Sequence, residues 1–257
     1  MTDRVETQPE TPVPEAPLPD RILVIVAHPD DVDFGCAGSV ATWTDAGIDV
    51  TYCLVTSGDA GGTDRTQSYE HRASIREREQ TAAANEVGVS DVIFLRHPDG
   101  RVTPSLELRR DLSRVIREVR PDRVVTQSTE RNLDRIYASH PDHLATASAA
   151  LDAVYPDARN PFAHPELLDA GHEPWSVPEV WIMGPAMPSG GGGGKPVYVD
   201  ITDTFDRKVA ALRAHVSQTG DRDGLDTMLR EWSTGLAKLG GLAEGRLAEG
   251  FRVVDTR

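Results

Sequence analysis

Five consecutive aliphatic residues, Ile22 to Val26 (ILVIV), constrain this chain more than any other feature. A run that is apolar on both faces needs cover on both, which is the situation of a central strand in a parallel sheet. The run ends at AHPDD, and residues 34–46 then read as a helix stopped by Gly47. A second strand follows at 49–55, a polar Gly-rich loop at 56–70, a helix at 71–87 and a third strand at 92–95. Residues 105–119 place Leu106, Leu108, Leu112, Val115, Ile116 and Val119 on one helical face. Residues 123–126 form a fourth strand, and a last helix of this series runs from about His140 to Ala153. Strand and helix in alternation mean βαβ units. The expectation is an α/β fold with a Rossmann-like parallel sheet and helices on both faces. Ligands of such sheets bind beyond the carboxyl ends of the strands. The loops opening at His28, Thr56, Arg96 and Ser128 are expected there.

The C-terminal third is less regular. Residues 156–178 are Pro-rich, 180–183 and 197–201 read as short strands, and Gly190 to Gly194 as a flexible connection. Residues 203–217 and 223–240 read as helices, with no element assigned beyond them. At the other end, Pro9, Pro12, Pro14, Pro17 and Pro19 stand among acidic residues and exclude a helix. Residues 1–20 are therefore expected to form a disordered tail, leaving 21–257 as a single domain.

Acidic residues number 41 against 27 basic, a net charge of -14. That balance argues against nucleic acid, whose phosphates need Lys and Arg, and against an anionic membrane surface. No apolar run approaches the roughly 20 residues of a membrane span, and the first residues carry no apolar leader. Cys36 and Cys53 are too few for a disulfide framework and read as buried reduced thiols, which points to a cytoplasmic protein.

The chemistry concentrates in two short motifs. In His28-Pro29-Asp30-Asp31, His28 and Asp31 are three apart, so one helical turn brings them to one face and leaves Asp30 free. The paired aspartates also suit a helix N-terminus. His140-Pro141-Asp142-His143 repeats the grammar after another strand. His28, Asp31 and His143 together offer two imidazoles and one carboxylate. That set holds a catalytic zinc with one position open, and it suits Fe(II) as well. The Gly-rich loop is not GxGxxG, so a dinucleotide site has little support.

AHPDD after an aliphatic strand, then TSGDAGG, Arg76-Glu77-Arg78-Glu79 and HPDH, in this order, resembles the PIG-L/LmbE family of metal-dependent N-deacetylases. The likeness runs from about residue 22 to 155 and resumes at 199–218. It implies that His28, Asp31 and His143 hold Zn2+ (or Fe2+) and that Asp30 is the general base. It implies that His140, protonated, stabilises the oxyanion and that Asp142 orients His140. Arg76, Asp99 and the Gly58 to Gly62 loop resemble substrate-contacting elements. Two positions depart from the pattern: Val32 followed by Asp33 stands where many members have a Glu directly after the paired aspartates, so that the supporting role of that Glu moves to Asp33 or is lost, and Ala138, preceded by Tyr137, stands where mycothiol-pathway members have Tyr. His71, His97, His164, His172 and His215 read as surface or packing residues, and Trp175 and Trp181 as core.

The expected activity is removal of an acetyl group from a small N-acetylated amino sugar or its glycoside by metal-activated water. The competing readings are an amidase for a larger acyl group or thiol conjugate, and a non-catalytic metal- or sugar-binding module. A homo-oligomer is left open by the sequence.

Overall fold

The computed structural model describes residues 18–133, 136, 139–184, 194–219 and 222–257. Most of the expected tail, the Gly190–Gly193 run, and Tyr137 with Ala138 lie outside these residues.

The chain runs β1 (Arg21–Val26), α1 (Asp31–Gly35), α2 (Ala37–Asp45), β2 (Asp49–Thr56), α3 (Tyr69–Glu86), β3 (Asp91–His97), α4 (Leu106–Val119), β4 (Arg123–Thr126) and α5 (Pro141–Asp152). It continues through α6 (Pro165–Asp169), β5 (Glu179–Met183), β6 (Lys195–Asp200), α7 (Phe205–Ala214), α8 (Val216–Thr219), α9 (Leu225–Leu239) and β7 (Ala248–Asp255). The sheet has seven strands in the order β3-β2-β1-β4-β5-β7-β6. Strands β3 to β5 of that order are parallel, as expected. β1 is central, and its alternate residues feed two cores. Ile22, Val24 and Val26 pack toward α2 and α3, while Leu23 and Ile25 pack toward α4 and α5. Strand order reverses between β1 and β4, which opens a crevice at their carboxyl ends. Among the described residues no helix is long and apolar enough to cross a membrane.

Three expectations are corrected. β7, unassigned from sequence, pairs antiparallel with both β5 and β6, so the sheet is mixed. Its sequence, AEGFRVVD, hides two charges that the strand buries by pairing: Glu249 with Lys208 at 2.6 Å, and Arg252 with Glu130 at 2.7 Å. The helix expected over 34–46 is two helices broken at Cys36, whose φ of -150 is non-helical. Glu249 accepts the Gly38 and Ser39 N–H groups at 3.1 and 2.7 Å, giving the first turn of α2 the acceptors it lacks. The helix expected over 203–217 stops at Ala214, because His215 leaves the helical conformation and turns its ring inward.

Candidate active site

β1 delivers Ala27 and His28 to the crevice, and Pro29 turns the chain. Asp30 then adopts a left-handed conformation, φ 86 and ψ -21, before α1 begins at Asp31. Asp31 Oδ2 accepts the His28 main-chain N–H at 2.7 Å, so the turn fastens the two side chains together. After β4 the chain returns with His140 at the N-cap of α5 and Pro141 in its first turn, which places His143 one turn in.

The two turns meet. His28 Nδ1 lies 3.2 Å from His143 Nε2 and 3.3 Å from Asp31 Oδ2, and His143 Nε2 lies 3.0 Å from Asp31 Oδ1. Tetrahedral zinc bonds of about 2.0–2.1 Å put donor atoms about 3.3 Å apart, so this group has the spacing of a zinc ligand set. His140 brings a further nitrogen within 4.8 Å of those of His28 and His143. The electrostatics agree. Burial alone would lower the His28 pKa, but the carboxylates of Asp142, Asp31 and Asp99 raise it to about 12. Three carboxylates around one imidazole make the surroundings favourable to positive charge.

Asp142 differs from expectation. Its carboxylate accepts the Gly100 and Val102 N–H groups at 2.7 and 3.2 Å, and Oδ2 stands 3.2 Å from His28 Nε2. The carboxylate thus hydrogen-bonds the His28 ring, where His140 was the expected partner. Asp142 hydrogen-bonds His140 through its main-chain N–H, which donates to Nδ1 at 3.2 Å, while its carboxylate charge raises the His140 pKa. Burial, with His28 and His143 beside it, lowers the His140 pKa, against the pull of Asp142 and Asp99. Nδ1 accepting an amide proton fits a neutral ring with its hydrogen on Nε2.

Asp30 stands beside the ligand group. Burial pushes its carboxyl up to about 6, with Arg76 pulling it down and Asp31 pushing further up. Arg76 Nη2 donates to Asp30 Oδ2 at 3.1 Å and to the Pro29 carbonyl at 2.6 Å. The guanidinium is buried over Gly58 and Gly61, where a Cβ would overlap it. Arg76 therefore acts on Asp30 in this structure, where the sequence pointed to substrate. Asp99 likewise spends both oxygens inside the protein, Oδ1 at 3.1 Å from His28 Nε2 and Oδ2 accepting the Ala60 N–H at 3.1 Å.

Behind Asp30 lies a layer of which the sequence pointed only to Asp33. Gln80, Asp33 and His215 are wholly buried and hydrogen-bonded in series. His215, by sequence a surface or packing residue, closes the series. Only the four-residue spacing of Gln80 from Arg76 on α3 signalled that both face the HPDD turn.

A cleft of about 370 Å³ opens beside Asp31 and His143, walled by Phe34, Met183, Trp232 and Leu236 with Gln127 and Glu130. Larger hollows of about 410 and 680 Å³ lie behind the Gly-rich loop and at the opposite end of the strands, away from the ligand group.

Comparison with known proteins gives a concordant picture. Residues 23–154 match the family described as PIG-L: GlcNAc-PI de-N-acetylase. Diacetylchitobiose deacetylase of Thermococcus kodakarensis is 31% identical over 236 residues, 91% of this chain and 83% of that protein. A probable N-acetyl-alpha-D-glucosaminyl L-malate deacetylase 2 of Bacillus anthracis is 27% identical, over 85% of this chain and 89% of its own. The solved structure of N,N'-diacetylchitobiose deacetylase from Pyrococcus horikoshii superposes with a TM-score of 0.81 at 29% identity, covering 93% of this chain and 85% of that one.

Proposed function

This chain belongs to the PIG-L family of de-N-acetylases, and from that premise we propose that it is a zinc-dependent hydrolase acting on an N-acetylated amino sugar or its glycoside. The observation that carries the reading is the convergence of His28, Asp31 and His143 at 3.0 to 3.3 Å, with a second carboxylate, Asp30, beside the group and outside it. Bound there, zinc supplies Lewis acidity, which lowers the pKa of a water to about 7.

The remaining roles fall to the chain. Asp30 accepts the proton of the attacking water, and a carboxyl pushed up to about 6 is well matched to that task near neutral pH. Arg76 holds the Asp30 carboxylate in place. His140, neutral with Nδ1 engaged, presents Nε2–H to the acetyl oxygen as charge builds on it. Asp30 then returns its proton to the leaving amine. The cleft past Phe34 and Trp232 receives the sugar or its aglycone, since an apolar wall with a few polar groups suits a pyranose.

The test is acetate and free-amine release from N-acetylglucosamine, N,N'-diacetylchitobiose and a series of N-acyl glucosamines, with metal analysis of the same protein. Stoichiometric zinc and preferential loss of acetyl are expected. Preference for longer acyl groups, or bound metal with no turnover of any of these amides, would overturn the reading.

A further inference from the structure

Behind Asp30 lies a polar bracket that the reaction, as assigned above, leaves without a role. Gln80 stands on α3 one turn after Arg76 and faces the same side of the helix. Its Oε1 accepts the Asp30 main-chain N–H at 2.8 Å, and its Nε2 donates to Asp33 Oδ2 at 3.0 Å. The same Asp33 oxygen lies 2.7 Å from His215 Nε2. All three side chains are fully buried and come from three separate parts of the chain. Burying polar groups is costly unless each is satisfied, and apolar side chains would fill the space more simply. A function for the arrangement has to come from what it touches, and that is the Asp30 peptide.

Asp30 is the residue that needs holding. Its left-handed backbone is one of four positive φ values at non-glycine positions among the described residues. Such a conformation persists where the surroundings over-determine it. Two bonds do so here: Gln80 fixes the main-chain N–H, and Arg76 fixes the carboxylate.

We infer that Gln80, braced by Asp33 and His215, is a positioning residue for Asp30: it locks the Asp30 peptide so that the carboxylate stands beside the ligand group and not within it. The inference rests on the deacetylase reading with Asp30 as base. Without Gln80, the Asp30 peptide is free to relax, while His28 and Asp31 keep their own bond through the His28 N–H.

The test uses the zinc-loaded protein with Gln80→Met, which keeps length and loses both hydrogen bonds, and Gln80→Asn, which keeps the amide on a side chain one methylene shorter, too short to span Asp30 and Asp33 together. Either variant should lower kcat about 10- to 100-fold, the usual effect of a misplaced catalytic group, with KM and zinc content unchanged. The Asp30 amide should exchange with solvent at least tenfold faster, a readout independent of activity. In an Asp30→Asn background the same substitutions should lower kcat by less than about twofold, because Gln80 acts through Asp30. Full, multiplicative losses in that background would show a general structural role and overturn the inference. So would wild-type kcat in whichever variant folds, or unchanged exchange at Asp30. Wild-type kcat in Asp30→Asn alone would instead refute the base assignment on which the inference rests.

Discussion

Asp142 holds His28 from behind, with Oδ2 at 3.2 Å from Nε2 of the ring whose Nδ1 faces His143 and Asp31. Amide donors from Gly100 and Val102 fix the same carboxylate, so it stays in place when the ring is engaged in front. A carboxylate behind a metal-binding imidazole sets its tautomer and raises its basicity, and loss of such a partner costs about 10- to 100-fold in metal affinity. Asp142→Asn is expected to weaken zinc binding by that factor, read by competition against a chelator. Unchanged affinity would place the role of Asp142 elsewhere.

The ligand group and the base separate by substitution. His28→Ala, Asp31→Ala and His143→Ala each remove one of three donors, and each protein should lose most of its zinc on dialysis. Asp30→Asn keeps the side chain's size and should retain zinc near one per chain. Its kcat should fall about 10²-fold or more with KM little changed. Zinc loss in Asp30→Asn with retention in Asp31→Ala would reverse the two assignments.

The arrangement of these residues was legible to different depths. The meeting of His28, Asp31 and His143 could be read because each motif is local, a three-residue spacing repeated on two loops, and the strand pattern placed both loops at one end of the sheet. The partner of Asp142 could not be read. From sequence the neighbouring histidines are His143, adjacent, and His140, two residues away, yet the carboxylate meets His28, 114 residues distant. Asp33 and His215 are 182 residues apart, so no spacing marks them as a pair. β7 was hidden for a related reason: Glu249 and Arg252 give its sequence the look of a surface turn until Lys208 and Glu130 are seen to neutralise them.

The Gly-rich loop makes a testable contrast. Gly58 has φ +65, and a Cβ there would overlap the Arg76 guanidinium. Gly62 has φ +88 but faces open space. Both alanine variants carry the left-handed penalty of roughly 1–2 kcal/mol. Only Gly58→Ala should also displace Arg76 from Asp30. Because Arg76 lowers the Asp30 pKa, its displacement should move the acid limb of kcat/KM to higher pH. Gly62→Ala should lose a few degrees of Tm and keep the wild-type profile. Identical profiles for the two variants would exclude the contact as a determinant of Asp30.

The same carboxyl makes opposite predictions for activity and for stability. Burial, with Asp31 and Asp33 nearby, raises Asp30 from 3.8 to about 6, against the pull of Arg76 and His215. The base must be ionised to work, so kcat/KM should fall as pH drops through the Asp30 pKa, which a zinc ion beside it would hold below the metal-free value of about 6. For stability the sign reverses. A carboxyl whose folded pKa lies above its unfolded one binds its proton more tightly in the fold. Its contribution is fully present below about 3.8 and is lost as pH rises through about 6. At about 1.4 kcal/mol per pKa unit, the ionised group costs on the order of 2–3 kcal/mol at higher pH. Asp30→Asn removes the ionisation, and Asn tolerates the left-handed backbone as well as Asp does. Metal-free Asp30→Asn should therefore be more stable than the wild type at pH 8, with the difference shrinking toward zero near pH 4. Urea unfolding of the two chelator-treated proteins across that range is the measurement. A wild type as stable as the variant at pH 8 would mean that Arg76 and His215 fully compensate the buried charge, and that Asp30 titrates well below 6 in the metal-free protein.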